Sequence, residues 1–107
     1  MLFHVVPLDR WSADPEGPYA PASLADEGFV HCSPDEAAAL AIADAHYRDA
    51  EGPLLVLRID EERLSSEVRW EGGFPHVYGP VDRAAVTGVL EVRRDADGTA
   101  TGLLPRA

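Results

Sequence analysis

Three of the four histidines in this 107-residue chain stand where an imidazole is chemically expensive or useful. His4 lies inside the apolar run LFHVV, His31 closes GFVHCS beside Cys32 and Ser33, and His76 stands in the glycine- and proline-framed GGFPHVYGP. Imidazole is the side chain whose ordinary titration falls near neutrality, so each is a candidate general base, hydrogen-bonding group or metal ligand. A buried imidazole without a partner costs about 1–3 kcal/mol, so each needs a bonded neighbour, a ligand or water. Two readings stay open for His31 and His4: a core histidine bonded to a main-chain carbonyl, or a wall of a shared pocket. His76 and Tyr78 alternate in HVY and project to one side of an extended segment, either as aromatic packing or as a ligand surface.

Cys32 precedes a predicted helix start, where backbone amides and the helix dipole lower a thiol pKa. Strand alternation points it away from His31, and a small buried thiol is the commoner use of a lone cysteine. A metal site drawn from His4, His31, Cys32 and His76 has no close-spaced pair behind it, since neither Cys-x-x-Cys nor His-x-x-x-His occurs. No metal is expected. Arg69 and Glu71 share one strand face and can pair there for roughly 0–1 kcal/mol if exposed.

The elements that must position these groups are legible in the pattern. LFHVV reads as a strand stopped by Pro7, with Leu2 and His4 on one face. Residues 8–13 read as a helical turn around Trp11, ADPEGPYAPAS as loop, and ASLADEG as a short helix ending at Gly28. GFVHC reads as a strand whose Phe29 and His31 share the inward face. Ser33-Pro34-Asp35-Glu36 reads as a capping box with Ser33 as N-cap and Pro34 at the first helical position, opening a helix to about Arg48. Ala39, Leu40, Ile42, Ala43, His46 and Tyr47 gather on one side. PLLVLRID reads as a central strand, DEERL as a helical turn, and SEVRWE as a strand with Val68 and Trp70 opposite Arg69 and Glu71. GGFPHVYGP reads as an ordered loop leading into a short strand. AVTGVLEVRR and TATGLL flank a DADG hairpin turn.

This order predicts one α+β domain over 1–107, built on a mostly antiparallel sheet with one main helix. A net charge of −10 argues against generic nucleic-acid binding, and the absence of lysine excludes P-loop and Schiff-base lysine chemistry. A single cysteine and an opening without a basic leader or a long apolar run give a cytoplasmic expectation. No segment approaches the roughly 20 apolar residues of a membrane-spanning helix.

FHVV with Trp11, GFVHCSP and RWEGGFPHVYGPV together resemble the bacterial family called domain of unknown function 952, over nearly the whole chain. That family is similar in fold to the ADP-ribosyltransferase superfamily, whose members bind NAD in the cleft of a small split antiparallel sheet. The branch it most resembles includes RNA 2′-phosphotransferases, in which histidines on the first strand and the next core strand face the NAD ribose. The resemblance matches His4 and His31 to those positions. It implies an NAD cofactor, a small nucleotide-like partner and action at the ribose, with His4, His31 and His76 as catalytic candidates. In that frame Phe74 and Tyr78 would stack on a ring, Arg69 and Arg83 would face a pyrophosphate, and amides at Ser33 would help hold it. Other branches place a glutamate on a later strand, where Val86–Val92 offers mainly apolar residues. The alternatives are a non-catalytic small-ligand or peptide module and a His/Cys metalloprotein.

Overall fold

A computed structural model describes residues 1–106. The chain runs β1 (Leu2–Pro7), α1 (Leu8–Trp11), α2 (Ala22–Glu27), β2 (Val30–His31), α3 (Glu36–His46), β3 (Leu54–Ile59), β4 (Glu67–Glu71), β5 (Phe74–Tyr78), β6 (Val86–Arg94) and β7 (Ala100–Pro105), with short 3₁₀ turns at Glu61–Arg63 and Arg83–Ala85. A four-stranded sheet has the order β1-β3-β6-β7 and a three-stranded sheet the order β2-β5-β4; every pairing is antiparallel. This is the α+β class that the element order predicts, with α3 as the main helix.

The near-continuous apolar run of β3 is explained by burial on both faces. Leu55, Leu57 and Ile59 join Leu2, Val6, Val30 and Val77 in a core between the two sheets. Leu54 and Val56 join Phe3, Val5, Ala39 and Ala43 in a second core beneath α3. Alanines at 39 and 43 let the helix lie close to the sheet, and both are fully buried.

The sheets meet where Ser33 leaves β2. Phe3 and Ser33 exchange backbone hydrogen bonds, 2.9 Å from the Phe3 amide and 2.6 Å from the Ser33 amide, so the chain after β2 closes against the outer edge of β1. This bridge displaces the expected helix start. Ser33 is buried and extended in the bridge, and the N-cap is Asp35, whose carboxylate accepts from the Ala38 amide at 2.7 Å. Pro34 therefore precedes the helix, which ends at His46, two residues short of Arg48; His46 is exposed, not packed. The turn expectations fare better. β6 and β7 are joined around Gly98 at φ +88°, and Gly28 ends α2 at φ +87°. GGFPHVYGP is more regular than expected, because β5 begins at Phe74 directly after a two-glycine turn.

Candidate functional site

A cleft of about 960 Å³ follows the outer edge of β1. One wall comes from Arg10 and the segment between α1 and α2, with Tyr19 and Ser23. Ile42 of α3 and Tyr47, just past its end, also line it, together with His31, Ser33, Glu71, Phe74 and His76. The structure thus brings His4, His31 and His76 to one volume, but in different states.

His4 is built into the wall. Its Nδ1 lies 2.6 Å from the His31 carbonyl oxygen and its Nε2 2.8 Å from the Tyr19 hydroxyl. A carbonyl only accepts, so Nδ1 carries the proton and Nε2 accepts from the Tyr19 O–H. Burial dominates and pushes the imidazole down to about 4, which keeps it neutral. The same burial raises the Tyr19 phenol well above its ordinary range. Both nitrogens of His4 are therefore engaged, and its bond to the His31 carbonyl ties β2 to β1.

His31 corrects the sequence expectation. Val30 and Cys32 face the core, at 0% and 4% exposure, and Phe29 and His31 face outward. The two residues do share a face, but it is the open one, because the inner face of the small sheet is claimed by Val30, Pro75 and Val77 packing under β3. His31 Nε2 lies 2.6 Å from Glu27 Oε2. Its cross-strand partner is His76, and the two rings stand edge to face at 5.6 Å between centroids. Phe29 packs on both, at 4.8 Å from His31 and 4.5 Å from His76. Cys32 is the reverse case: burial pushes its thiol up to about 12, so no activated thiolate forms there.

The β4–β5 hairpin brings Glu71 to the cleft, a residue whose role the sequence left open beyond a pairing with Arg69. Glu71 Oε1 accepts from His76 Nδ1 at 3.0 Å and from the Tyr78 hydroxyl at 2.5 Å. The Tyr78 hydroxyl, then His76, hold this carboxyl below the usual glutamate range. Arg69 does not pair with Glu71; it binds Glu67 at 3.0 Å and lies 4.7 Å over the Tyr78 ring. Tyr78 stands behind Glu71, outside the cleft lining, whereas Phe74 borders the cleft and is 39% exposed.

Arg83 borders the cleft, but its guanidinium is committed. Nε donates to the Gly17 carbonyl at 2.7 Å, Nη2 to the Trp11 carbonyl at 2.8 Å, and the group lies 4.1 Å over the Trp11 ring. Ser33 borders the cleft without a helix terminus behind it, so the expected cradle of helix amides is absent at that residue. Arg10, which the sequence reading passed over, is exposed on the cleft, acts electrostatically on the phenols of Tyr19 and Tyr47, and has no ion-pair partner among the described residues. Tyr19 was missed because it lies in a proline-rich loop with no periodic signal. Among the described residues no three His, Cys, Asp or Glu side chains converge as metal ligands.

The family model described as "Protein of unknown function (DUF952)" matches residues 5–89, and the chain belongs to that family. It is similar to protein CC0527 from Caulobacter crescentus. The crystal structure of that protein has a TM-score of 0.65 at 28% identity, covering 94% of this chain and 92% of that one. Its solution structure has a TM-score of 0.75 at 26% identity, covering 94% and 90%. No curated protein matches the chain.

Proposed function

We propose that this member of the DUF952 family binds a ribose-bearing nucleotide, NAD or an ADP-ribosylated compound, in the cleft along β1 and acts at its ribose as an ADP-ribosyltransferase-like protein. The observation that carries this reading is the convergence of His31, His76, Glu71, Ser33 and Arg10 on one volume of about 960 Å³. That volume lies in the range of small-molecule sites, roughly 300–1,000 Å³, which combine apolar lining with a few convergent polar groups. The ligand class comes from the resemblance of the sequence motifs to the ADP-ribosyltransferase superfamily, an analogy of fold.

In this reading His31 bonds a ribose hydroxyl, His76 faces the reacting end of the ligand, Phe74 offers a ring face, and Arg10 meets a phosphate. Arg10 replaces Arg83 and Arg69 as the leading cation, since their guanidinium groups are already bonded to carbonyls and to Glu67. His4 contributes by fixing the strand that carries His31. Cleavage of a bond between ribose and nicotinamide passes through an oxocarbenium-like state, for which orientation and fixed dipoles are the main requirements.

Titration calorimetry of the whole chain with NAD and with ADP-ribose tests the reading. Saturable heat that weakens about tenfold in His31→Ala and in Arg10→Ala is expected, each roughly the worth of one charged or well-placed hydrogen bond. Absence of heat with both compounds rejects it. A second reading, a non-catalytic module for the same ligands, draws support from the full engagement of His4, which leaves the polar groups of the cleft at its rim. Binding without release of nicotinamide is its signature.

A further inference from the structure

We infer that Glu71 and His76 form a base dyad, in which His76 Nε2 takes the proton from a hydroxyl, of water or an alcohol, that attacks ribose C1′ of the ligand in the cleft. This rests on the reading of the cleft as a site for NAD-type ribosyl compounds. The geometry begins with the hairpin. Gly72 and Gly73 both have positive φ, 61° and 83°, the backbone of a tight two-residue turn that few other residues adopt. That turn places Glu71 opposite Phe74 and leaves His76 and Tyr78 on the same face, within reach of one carboxylate oxygen.

Two donors on Glu71 Oε1 give each neighbour a defined part. A carboxylate accepting from Nδ1 fixes the proton on that nitrogen and leaves the lone pair on Nε2, the arrangement a general base requires. Tyr78 anchors the carboxylate from behind, outside the cleft lining. Phe29, packed on the His76 ring at 4.5 Å, limits its rotation, and His76 with Glu71 borders the cleft. The titratable and charged groups facing His76 are Glu71, Tyr78 and its cross-strand partner Arg69 on the hairpin, and His31 with its bonded Glu27 from β2 and α2. Arg69 is neutralised by Glu67. Glu71 is the carboxylate bonded directly to His76.

The step balances without an added oxidant or metal. The C1′–O bond forms as the C1′–N bond breaks, the electron pair of the broken bond leaves on the nicotinamide nitrogen, and nicotinamide departs neutral. The hydroxyl proton passes to Nε2 and then to solvent. Glu71 stays ionised and steadies the imidazolium. The acceptor class is therefore a hydroxyl.

Nicotinamide release from NAD, followed chromatographically alongside calorimetric binding, tests the dyad. Glu71→Gln should lower it about 100-fold, the scale of a general base, with NAD affinity unchanged within about twofold. His76→Gln should lower release at least as far as Glu71→Gln, and Tyr78→Phe should lower it less. Undiminished release in Glu71→Gln, or NAD binding by the wild-type chain without release, overturns the dyad and leaves the binding site standing. No NAD binding at all overturns both.

Discussion

The Tyr19 hydroxyl donates to His4 Nε2 across 2.8 Å, joining a loop residue to the first strand and completing the hydrogen bonding of a buried imidazole. His4 Nδ1 at the same time holds the His31 carbonyl, so one neutral ring ties together the loop, β1 and β2.

Acid should therefore weaken the fold through His4. Its folded pKa, about 4, lies below the ordinary value of 6.5, so the unfolded chain takes up a proton that the folded chain refuses as pH falls between those values. The contribution is complete above about pH 6.5 and drains by roughly 3 kcal/mol toward pH 4. Urea unfolding at several pH values should show that loss in the wild-type chain and a shallower slope in His4→Gln. Tyr19→Phe, which strands Nε2 in the core, should cost about 1–3 kcal/mol near neutral pH.

The Cys32 thiol should resist modification. Burial pushes it up to about 12, and 4% exposure leaves little access to reagent. An aromatic disulfide reagent at mildly alkaline pH should react in native buffer only as fast as the chain opens, and rapidly in denaturant. Fast native labelling would contradict the burial of this side of β2.

Arg83→Lys should loosen the segment between α1 and α2. Lysine keeps the charge but cannot deliver two directed bonds to Gly17 and Trp11 while stacking on the indole. A loss of about 1–3 kcal/mol is expected, with faster amide exchange at Tyr19 and Ser12.

Gly98→Ala should cost more than Gly28→Ala. Both residues have positive φ, which disfavours any side chain by roughly 1 kcal/mol. At Gly98 the added methyl would also stand 2.7 Å from the Arg48 carbonyl oxygen, whereas at Gly28 nothing lies within 4 Å. Denaturation midpoints of the two variants, compared side by side, measure the difference.

Local pattern determined much of this molecule. Pro7, Gly28, the DADG turn and the alanine-rich amphipathic segment mark where elements begin and end, because φ restrictions and side-chain periodicity act within a few residues. Alternation also established that Phe29 pairs in orientation with His31, and His76 with Tyr78. It could not say which of the two faces is inside. A period of two fixes relative directions only, and the choice of face depends on what packs against the strand from elsewhere in the chain. Here β3 and β1 claimed Val30 and Val77, so Phe29 and both imidazoles of the β2–β5 pair turned outward. The same distant contact overrode a sound local signal at Ser33, whose backbone was recruited by Phe3 and whose capping role passed to Asp35. The partners that define the site, Tyr19 for His4 and Arg10 at the cleft, lie in segments without periodicity; only the closing of the two sheets brought them to the histidines.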